Sequence, residues 1–268
     1  MIGRVYRYVR DSRGLNNNPK LSKMGFKFLG NQEMQNGVFE VLETRIVERI
    51  LSKVDTFVNV GANIGYYTCI ALRNKKRVIA FEPIDLNLKY LLKNVEANGW
   101  SEGCEIFPLA LSNKVGIIEI FGGGTGASLI KGWAGTPEWY STLVPCSTMD
   151  IVLGSRLHEE KTLIVVDVEG AESMMLEGAT KILGMNPKPI WMIEIACGEH
   201  QPNTIKVNPK LLDTFEKFWM NGYVCITASD ELRPVCRDEI IEIMKTQIDT
   251  LGTHNFIFYD GNSDTLFG

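Results

Sequence analysis

Residues 56–68 read TFVNVGANIGYYT, and this stretch decides the fold. Thr56 to Val60 is a short β-branched and aromatic run without charge, the composition of a buried strand. It feeds a glycine turn, Gly61-Ala62-Asn63-Ile64-Gly65, and the run from Ile64 to Leu72 continues as a helix. Gly61 permits a tight turn and a close approach of backbone to a ligand. The helix that follows offers free N–H groups at its N-terminus. Strand, turn and helix form one βα unit of an open α/β sheet, where ligands bind at the carboxyl ends of the strands.

The flanking sequence repeats the unit. RVIAF (77–81) is a second buried strand, ending in Glu82-Pro83. Leu86 to Ala97 is an amphipathic helix closed by Asn98-Gly99. CEIFPLAL (104–111) reads as a third strand, and KVGIIEIF (114–121) as another, antiparallel one. TLIVV (162–166) has no alternation, as expected at the centre of a parallel sheet. A helix over 172–183, a strand over 189–195, a helix over 211–220 and strands over 223–227 and 255–259 follow. Upstream, apolar residues at 38, 39, 42, 46, 47, 50 and 51 give Glu40–Lys53 a helical period. Alternating strands and helices imply an α/β, Rossmann-like fold with helices on both faces of a mostly parallel sheet. The expectation is seven strands, with 255–259 antiparallel beside 223–227. Residues 1–50 are expected to be an N-terminal extension packed on the core, and 51–268 the ligand-binding domain.

Composition narrows the function. The 268 residues are 45% hydrophobic, enough for a sizeable core. With 28 Lys and Arg against 32 Asp and Glu, the net charge of −4 argues against a protein that wraps nucleic acid. Six cysteines, at 69, 104, 146, 197, 225 and 236, include no CxxC pair and read as reduced core residues of a cytoplasmic protein. MIGRVYRYVRDSRG (1–14) carries four arginines and no apolar segment, so it reads as a solvated basic arm rather than a signal peptide. The longest uncharged stretch, Thr56 to Leu72, is too short and too polar to span a bilayer, and no membrane insertion is expected.

The turn itself limits the ligand. A dinucleotide fingerprint has glycine at the central position of GxGxxG, and here Asn63 stands there. That opposes a pyrophosphate and hence an NAD-dependent dehydrogenase. The turn also lacks the lysine of a P-loop, which disfavours ATP. Glu82 ends the second strand, where a carboxylate can accept two hydrogen bonds from a ribose diol.

FVNVGANIGYYT, AFEP, LALSNKVG, VPCSTMD, VVDVEGAE and IEI occur in an order and spacing that resembles the FkbM family of S-adenosylmethionine-dependent methyltransferases. The resemblance spans Glu40 to Ala196 and implies the class I methyltransferase fold. It further implies methyl transfer, usually to a hydroxyl of a sugar or natural product, so that the partner is a small-molecule or glycan acceptor. Carried onto this sequence, it has Gly61, Asn63 and Gly65 shaping the turn around the methionine part of the cofactor. Glu82 would hold the ribose hydroxyls, and Ala110 and Leu111 would face the adenine. Asp167, Glu169 and Gly170 would lie near the methyl group. Two positions depart from the family: Asn59 stands where Asp is usual, keeping an acceptor but no charge, and Val165 where many members have Lys.

A hydroxyl acceptor must lose its proton, to a general base or through a metal. Asp167 and Glu194 are expected to end adjacent parallel strands, so both become candidate catalytic carboxylates and candidate ligands of a divalent metal. The metal-free alternative uses an acid or His200, in the polar loop CGEHQPN, as base. His254 is expected to cap the last strand, His158 to be solvated, and Glu172 to be a helix N-terminal charge. Glu40 and Glu43 either approach the cofactor or belong to a solvated helix face. The Gly-rich segment 122–142 is the expected acceptor loop, together with 198–208. Trp133, Trp139 and Tyr140 either stack on a sugar or form a small satellite core. Two competing readings remain. A nucleobase N-methyltransferase is opposed by the absence of proline and aromatic residues after Asp167. A non-catalytic binding module is supported only by Asn59 and Val165.

Overall fold

In the computed structural model, which describes residues 14–202, 204–262 and 266, the chain first lays a small cap on one sheet face. The cap comprises strands β1 (Lys20–Leu21) and β2 (Lys27–Phe28) and helices α1 (Gln32–Asn36) and α2 (Val41–Leu51). All but the last residue of the basic arm lies outside the described residues. Phe26, Phe28, Met34, Ile46, Val47, Ile50 and Leu51 are buried in one cluster with Phe57, Cys69 and Ile70 of the sheet and its first helix. The fully buried Asn94 ties the cap down: its amide takes the Leu29 N–H at 2.6 Å and donates to the Ile64 carbonyl at 2.9 Å.

The central sheet follows. β3 (Thr56–Val60), α3 (Tyr66–Arg73), β4 (Arg77–Phe81), α4 (Asp85–Glu96) and β5 (Cys104–Phe107) come first. Next are β6 (Ala110–Leu111), β7 (Gly116–Phe121), β8 (Ser141–Ser147), α5 (Met149–Leu153), β9 (Thr162–Val166), α6 (Glu172–Glu177) and α7 (Thr180–Leu183). β10 (Ile190–Glu194), α8 (Leu211–Trp219), β11 (Val224–Thr227), β12 (Pro234–Val235), α9 (Arg237–Thr246) and β13 (Asn255–Tyr259) complete the chain. The spatial order is β12-β11-β13-β10-β9-β3-β4-β5. β5, β4, β3, β9 and β10 are mutually parallel, and β13 lies antiparallel between β10 and β11. This is the expected mostly parallel sheet with 255–259 beside 223–227. The two-residue edge strand β12 makes it eight strands rather than seven. Alternate residues enter opposite cores, Val58, Ile79 and Ile164 on one face and Phe57, Val78 and Leu163 on the other. Val165 is buried in the second of these cores, a packing role for the residue that departs from the family.

Several expectations change. The strand read over 104–111 is two strands in two sheets, because Pro108 has no N–H to continue the ladder. β6 joins β8 and β7 in a separate three-stranded sheet, order β6-β8-β7, which takes 114–121 away from the main sheet. β8 begins inside the segment expected to be loop; Pro145 and its polar residues hide a strand that six consecutive pairs with β7 create. The helix over 172–183 breaks at Gly178, where a Cβ would collide with the Ser112 carbonyl. Among the described residues no helix is long and apolar enough to cross a membrane.

Candidate active site

The register of the parallel strands sets the site. Val60 pairs with Phe81 and Val166, Phe81 with Phe107, and Val166 with Ile193. The next residues, Gly61, Glu82, Asp167 and Glu194, therefore emerge side by side along one rim. The chain leaves β3 for β4 in one direction and returns to β9 on the other side, so this rim is the topological switch point where a crevice opens. A partly open cleft lies there, at the place where such sheets bind their ligands. Its walls include Gly61, Asn63, Glu82, Ile84, Asn87, Ala110, Leu111, Asp167 and Glu169. Gly61 has φ 81°, and a Cβ on it would overlap the Asp167 carbonyl, so only glycine lets β3 and β9 come this close.

Glu82 is 3% exposed and held by the protein itself. One carboxylate oxygen accepts the Asn63 N–H at 2.7 Å, and the other accepts the Ile84 N–H at 2.8 Å and the Asn87 amide at 3.3 Å. Burial pushes its pKa up to about 7, against the lowering effect of those three donors. A carboxylate has about four acceptor sites, so one remains free for a ligand hydroxyl. Asn63 sits at φ 51°, a left-handed backbone that aims its N–H at Glu82. Its Oδ1 is the one buried side-chain N or O atom without a hydrogen-bond partner among the described residues. An orphaned buried acceptor on a cavity wall is costly unless a ligand donates to it.

Ala110 and Leu111 line the cavity, on an apolar wall shared with Leu109, Ile120, Ala127 and Leu129. Asn59 and Gly65, two of the sequence-predicted cofactor residues, stand outside the cavity lining. Asn59 points to the opposite sheet face, where its amide donates to the Thr68 hydroxyl at 3.0 Å. Strand alternation puts Val60, not Asn59, on the cavity side. Gly65, with φ 91°, starts α3 and makes room for Leu91.

The rim beyond the cavity is acidic. Asp167 is solvent-accessible yet walled in by protein, as a group on a cavity wall must be. Burial raises its pKa well above the usual range, and the Glu194, Glu169 and Glu40 carboxylates push it further. Burial also raises Glu194, with Glu169, Glu172 and Glu40 adding to the effect. Glu172 is 2% exposed and accepts the Gly170 N–H at 2.9 Å. It starts α6, as expected of a helix N-terminal residue, but burial lifts its pKa to about 8. Glu40 accepts the Tyr67 hydroxyl at 2.6 Å, and Glu43 accepts from Asn255 at 3.4 Å, so neither lies on an idle helix face. Among the described residues no three His, Cys, Asp or Glu side chains are grouped to hold a metal ion, which leaves a metal at Asp167 and Glu194 with two protein ligands. His200 is exposed, outside the cavity lining, its ring 6.0 Å from that of Trp133. His254 bonds Glu199 at 3.0 Å, and its carbonyl accepts the Ile195 N–H. His158 is solvated, as expected.

The expected acceptor loop turns out to be part of the cavity wall. Gly124, Thr125, Ala127 and Leu129 line the cavity, and the Gly124 carbonyl accepts from Asn87 at 2.9 Å. Trp133 is 2% exposed, whereas Trp139 is 65% exposed. Sequence reasoning missed Asn87 and Ile84. The available signal was their place in the turn and first helical turn directly after Glu82, where N–H and amide donors collect.

These features fit S-adenosylmethionine. The apolar wall suits adenine, the spare acceptor site of Glu82 suits a ribose hydroxyl, and the orphaned Asn63 Oδ1 awaits a donor. No curated protein matches the chain. Several solved structures are similar in outline. An O-methyltransferase family protein from Burkholderia thailandensis is 11% identical with a TM-score of 0.38, covering 86% of this chain, which spans 58% of that one. A TehB-like SAM-dependent methyltransferase from Corynebacterium glutamicum is 10% identical with a TM-score of 0.41, over 81% of this chain and 86% of that one. An O-methyltransferase from Bacillus cereus in complex with SAH is 10% identical with a TM-score of 0.42, over 82% and 80%. Likenesses this distant decide nothing; the strand order and the family match do. The family model described as the methyltransferase FkbM domain matches residues 59–216, more than half of the sequence. The chain therefore belongs to the FkbM family of S-adenosylmethionine-dependent methyltransferases.

Proposed function

We propose that the protein methylates a hydroxyl of a sugar, glycan or other natural product, with Asp167 taking the hydroxyl proton and Glu194 beside it tuning that carboxyl. The observation that carries this reading is the emergence of both carboxyls, side by side and both raised in pKa, on the rim next to the cavity. A carboxyl pair held in partly desolvated surroundings titrates closer to neutrality than a free one, which suits a general base. Bound S-adenosylmethionine supplies a methyl group on a positively charged sulfur. Glu82 and Asn63 would anchor its ribose and neighbouring polar atoms, and Ala110, Leu111 and Leu129 its adenine. Gly61 keeps the strand ends close enough for Asp167 to stand at the cavity wall. Asp167, ionised, accepts the proton of the incoming hydroxyl, and Glu194 beside it modulates how readily that proton is held. Unpaired cysteines are consistent with a reducing compartment, and we place the protein in the cytoplasm.

The test is transfer of a labelled methyl group to a panel of hydroxylated acceptors, with Asp167→Asn and Glu194→Gln beside wild type. Loss of a general base lowers kcat by about 10²–10⁴-fold. An active Asp167→Asn together with an inactive His200→Asn would move the base to His200. Activity that disappears on chelation and returns with a divalent ion would instead establish the metal reading. Transfer to nitrogen acceptors alone would overturn the hydroxyl assignment.

A further inference from the structure

We propose that Trp133 is a positioning residue for the cofactor cavity, a latch that pins the 122–140 segment, as a roof, onto the Glu169-Gly170 turn. The inference rests on the reading of this cavity as the S-adenosylmethionine site. Trp133 is the one buried side chain between residues 131 and 140. Its indole Nε1–H donates to Glu169 Oε2 at 2.8 Å. Its ring lies so close over Gly170 that a Cβ there would overlap it, and Gly170 has φ 92°. The same turn is held a second time, by the Ser128 hydroxyl donating to the Glu169 carbonyl. A third tie runs onward, from the Ala134 N–H to the His200 carbonyl at 2.7 Å.

The consequence is geometric. The early part of this segment, Gly124 to Leu129, is cavity wall, and Trp133 fastens its later part to the turn that begins with Asp167. Glu169 itself sits at φ 54°, a conformation that costs a non-glycine residue energy and needs fixed surroundings. Trp133 thus couples two walls of the cavity that are 36 residues apart in sequence. A ligand enclosed under this roof leaves faster once the latch is loosened, because the roof then lifts without breaking the indole contact.

The experiment measures S-adenosylhomocysteine dissociation by stopped flow on the intact protein, with wild type, Trp133→Phe, Trp133→Ala and Ser128→Ala. Trp133→Phe keeps an aromatic ring and loses the N–H, and loss of a hydrogen bond to a charged acceptor corresponds to about a tenfold faster dissociation. Ser128→Ala acts on the same turn from another residue and is expected to speed dissociation in the same direction, while Trp133→Ala exceeds both. Melting temperatures are taken in parallel. A residue that serves stability alone lowers the melting point and leaves the dissociation rate of the folded fraction unchanged, and that result overturns the latch. Failure of wild type to bind S-adenosylhomocysteine at all overturns the cofactor reading and the latch with it, and is distinguishable from the first failure.

Discussion

Replacing Glu82 by glutamine changes one oxygen for an NH₂ group and leaves the volume alone. In the structure the two carboxylate oxygens serve two different backbone donors, Asn63 N–H at 2.7 Å and Ile84 N–H at 2.8 Å. Glutamine has one oxygen, so one of those N–H groups must face an NH₂ group. An unmade buried hydrogen bond costs about 1–3 kcal/mol, and a charged acceptor is worth about 1.5–3 kcal/mol per bond to a ligand. Removing a carboxyl whose pKa burial has raised to about 7 offsets part of the stability loss above that pH. Stability therefore changes little, and ligand affinity carries the effect. The expected loss is about 2–3 kcal/mol, or roughly 30–150-fold in the dissociation constant of S-adenosylhomocysteine. The pH dependence is the sharper readout. A ribose hydroxyl donating to the carboxylate favours its ionised form, so binding below about pH 7 must release a proton. Affinity in wild type should rise by up to about tenfold for each step of one in pH toward pH 7 and level off above it. Calorimetric titrations near pH 6 and pH 8, in two buffers of different ionisation enthalpy, measure both affinity and proton release. A Glu82→Gln variant that binds like wild type, or that keeps the pH slope, would refute the assignment of Glu82 to the ribose.

Glu172→Gln retains an oxygen for the Gly170 N–H and removes a group whose folded pKa is raised from 4.5 to about 8. A raised folded pKa contributes stability that is present at acid pH and lost as pH rises toward 8. The variant should therefore match wild type near pH 5 and exceed it by a few kcal/mol above pH 8, because each tenfold change in proton affinity is worth about 1.4 kcal/mol. Urea denaturation across that range checks it, and parallel curves would contradict the burial argument. Asn63→Gly keeps the N–H that binds Glu82 and relieves a φ of 51°, so stability should hold or rise by about 0.5–1 kcal/mol. Loss of the unpaired Oδ1 should weaken S-adenosylhomocysteine by about 5–30-fold in the same calorimetry, and equal affinity would show that no ligand atom uses it. Gly61→Ala drives a Cβ into the Asp167 carbonyl at a φ of 81°, and should cost about 3 kcal/mol or more in denaturant titration together with ligand binding.

Four strands were legible to the residue, 56–60, 77–81, 162–166 and 255–259. Each is a largely apolar run because the sheet is buried on both faces, so composition alone marks its limits. Parallel strands in register then place the residues just beyond their ends on one rim, which is why Gly61, Glu82, Asp167 and Glu194 could be chosen from sequence. The elements that misled are those whose state depends on distant partners. β8 is a strand because β7 lies beside it, and 172–183 breaks at Gly178, which packs against the Ser112 backbone from a distant segment.

The site divides the same way. Sequence by itself determined the glycine turn, the acid after the second strand and the acid pair after the central strands, since these follow from local backbone demands and strand order. Only the tertiary structure decided where side chains point and what they meet. It turned Asn59 away from the cavity, brought Asn63 to Glu82 across 19 residues, and made the Gly-rich segment part of the cavity wall. It also buried Trp133 on Gly170. These are packing outcomes between segments far apart in the chain, fixed by which surfaces fit when the sheet closes, and no local periodicity encodes them.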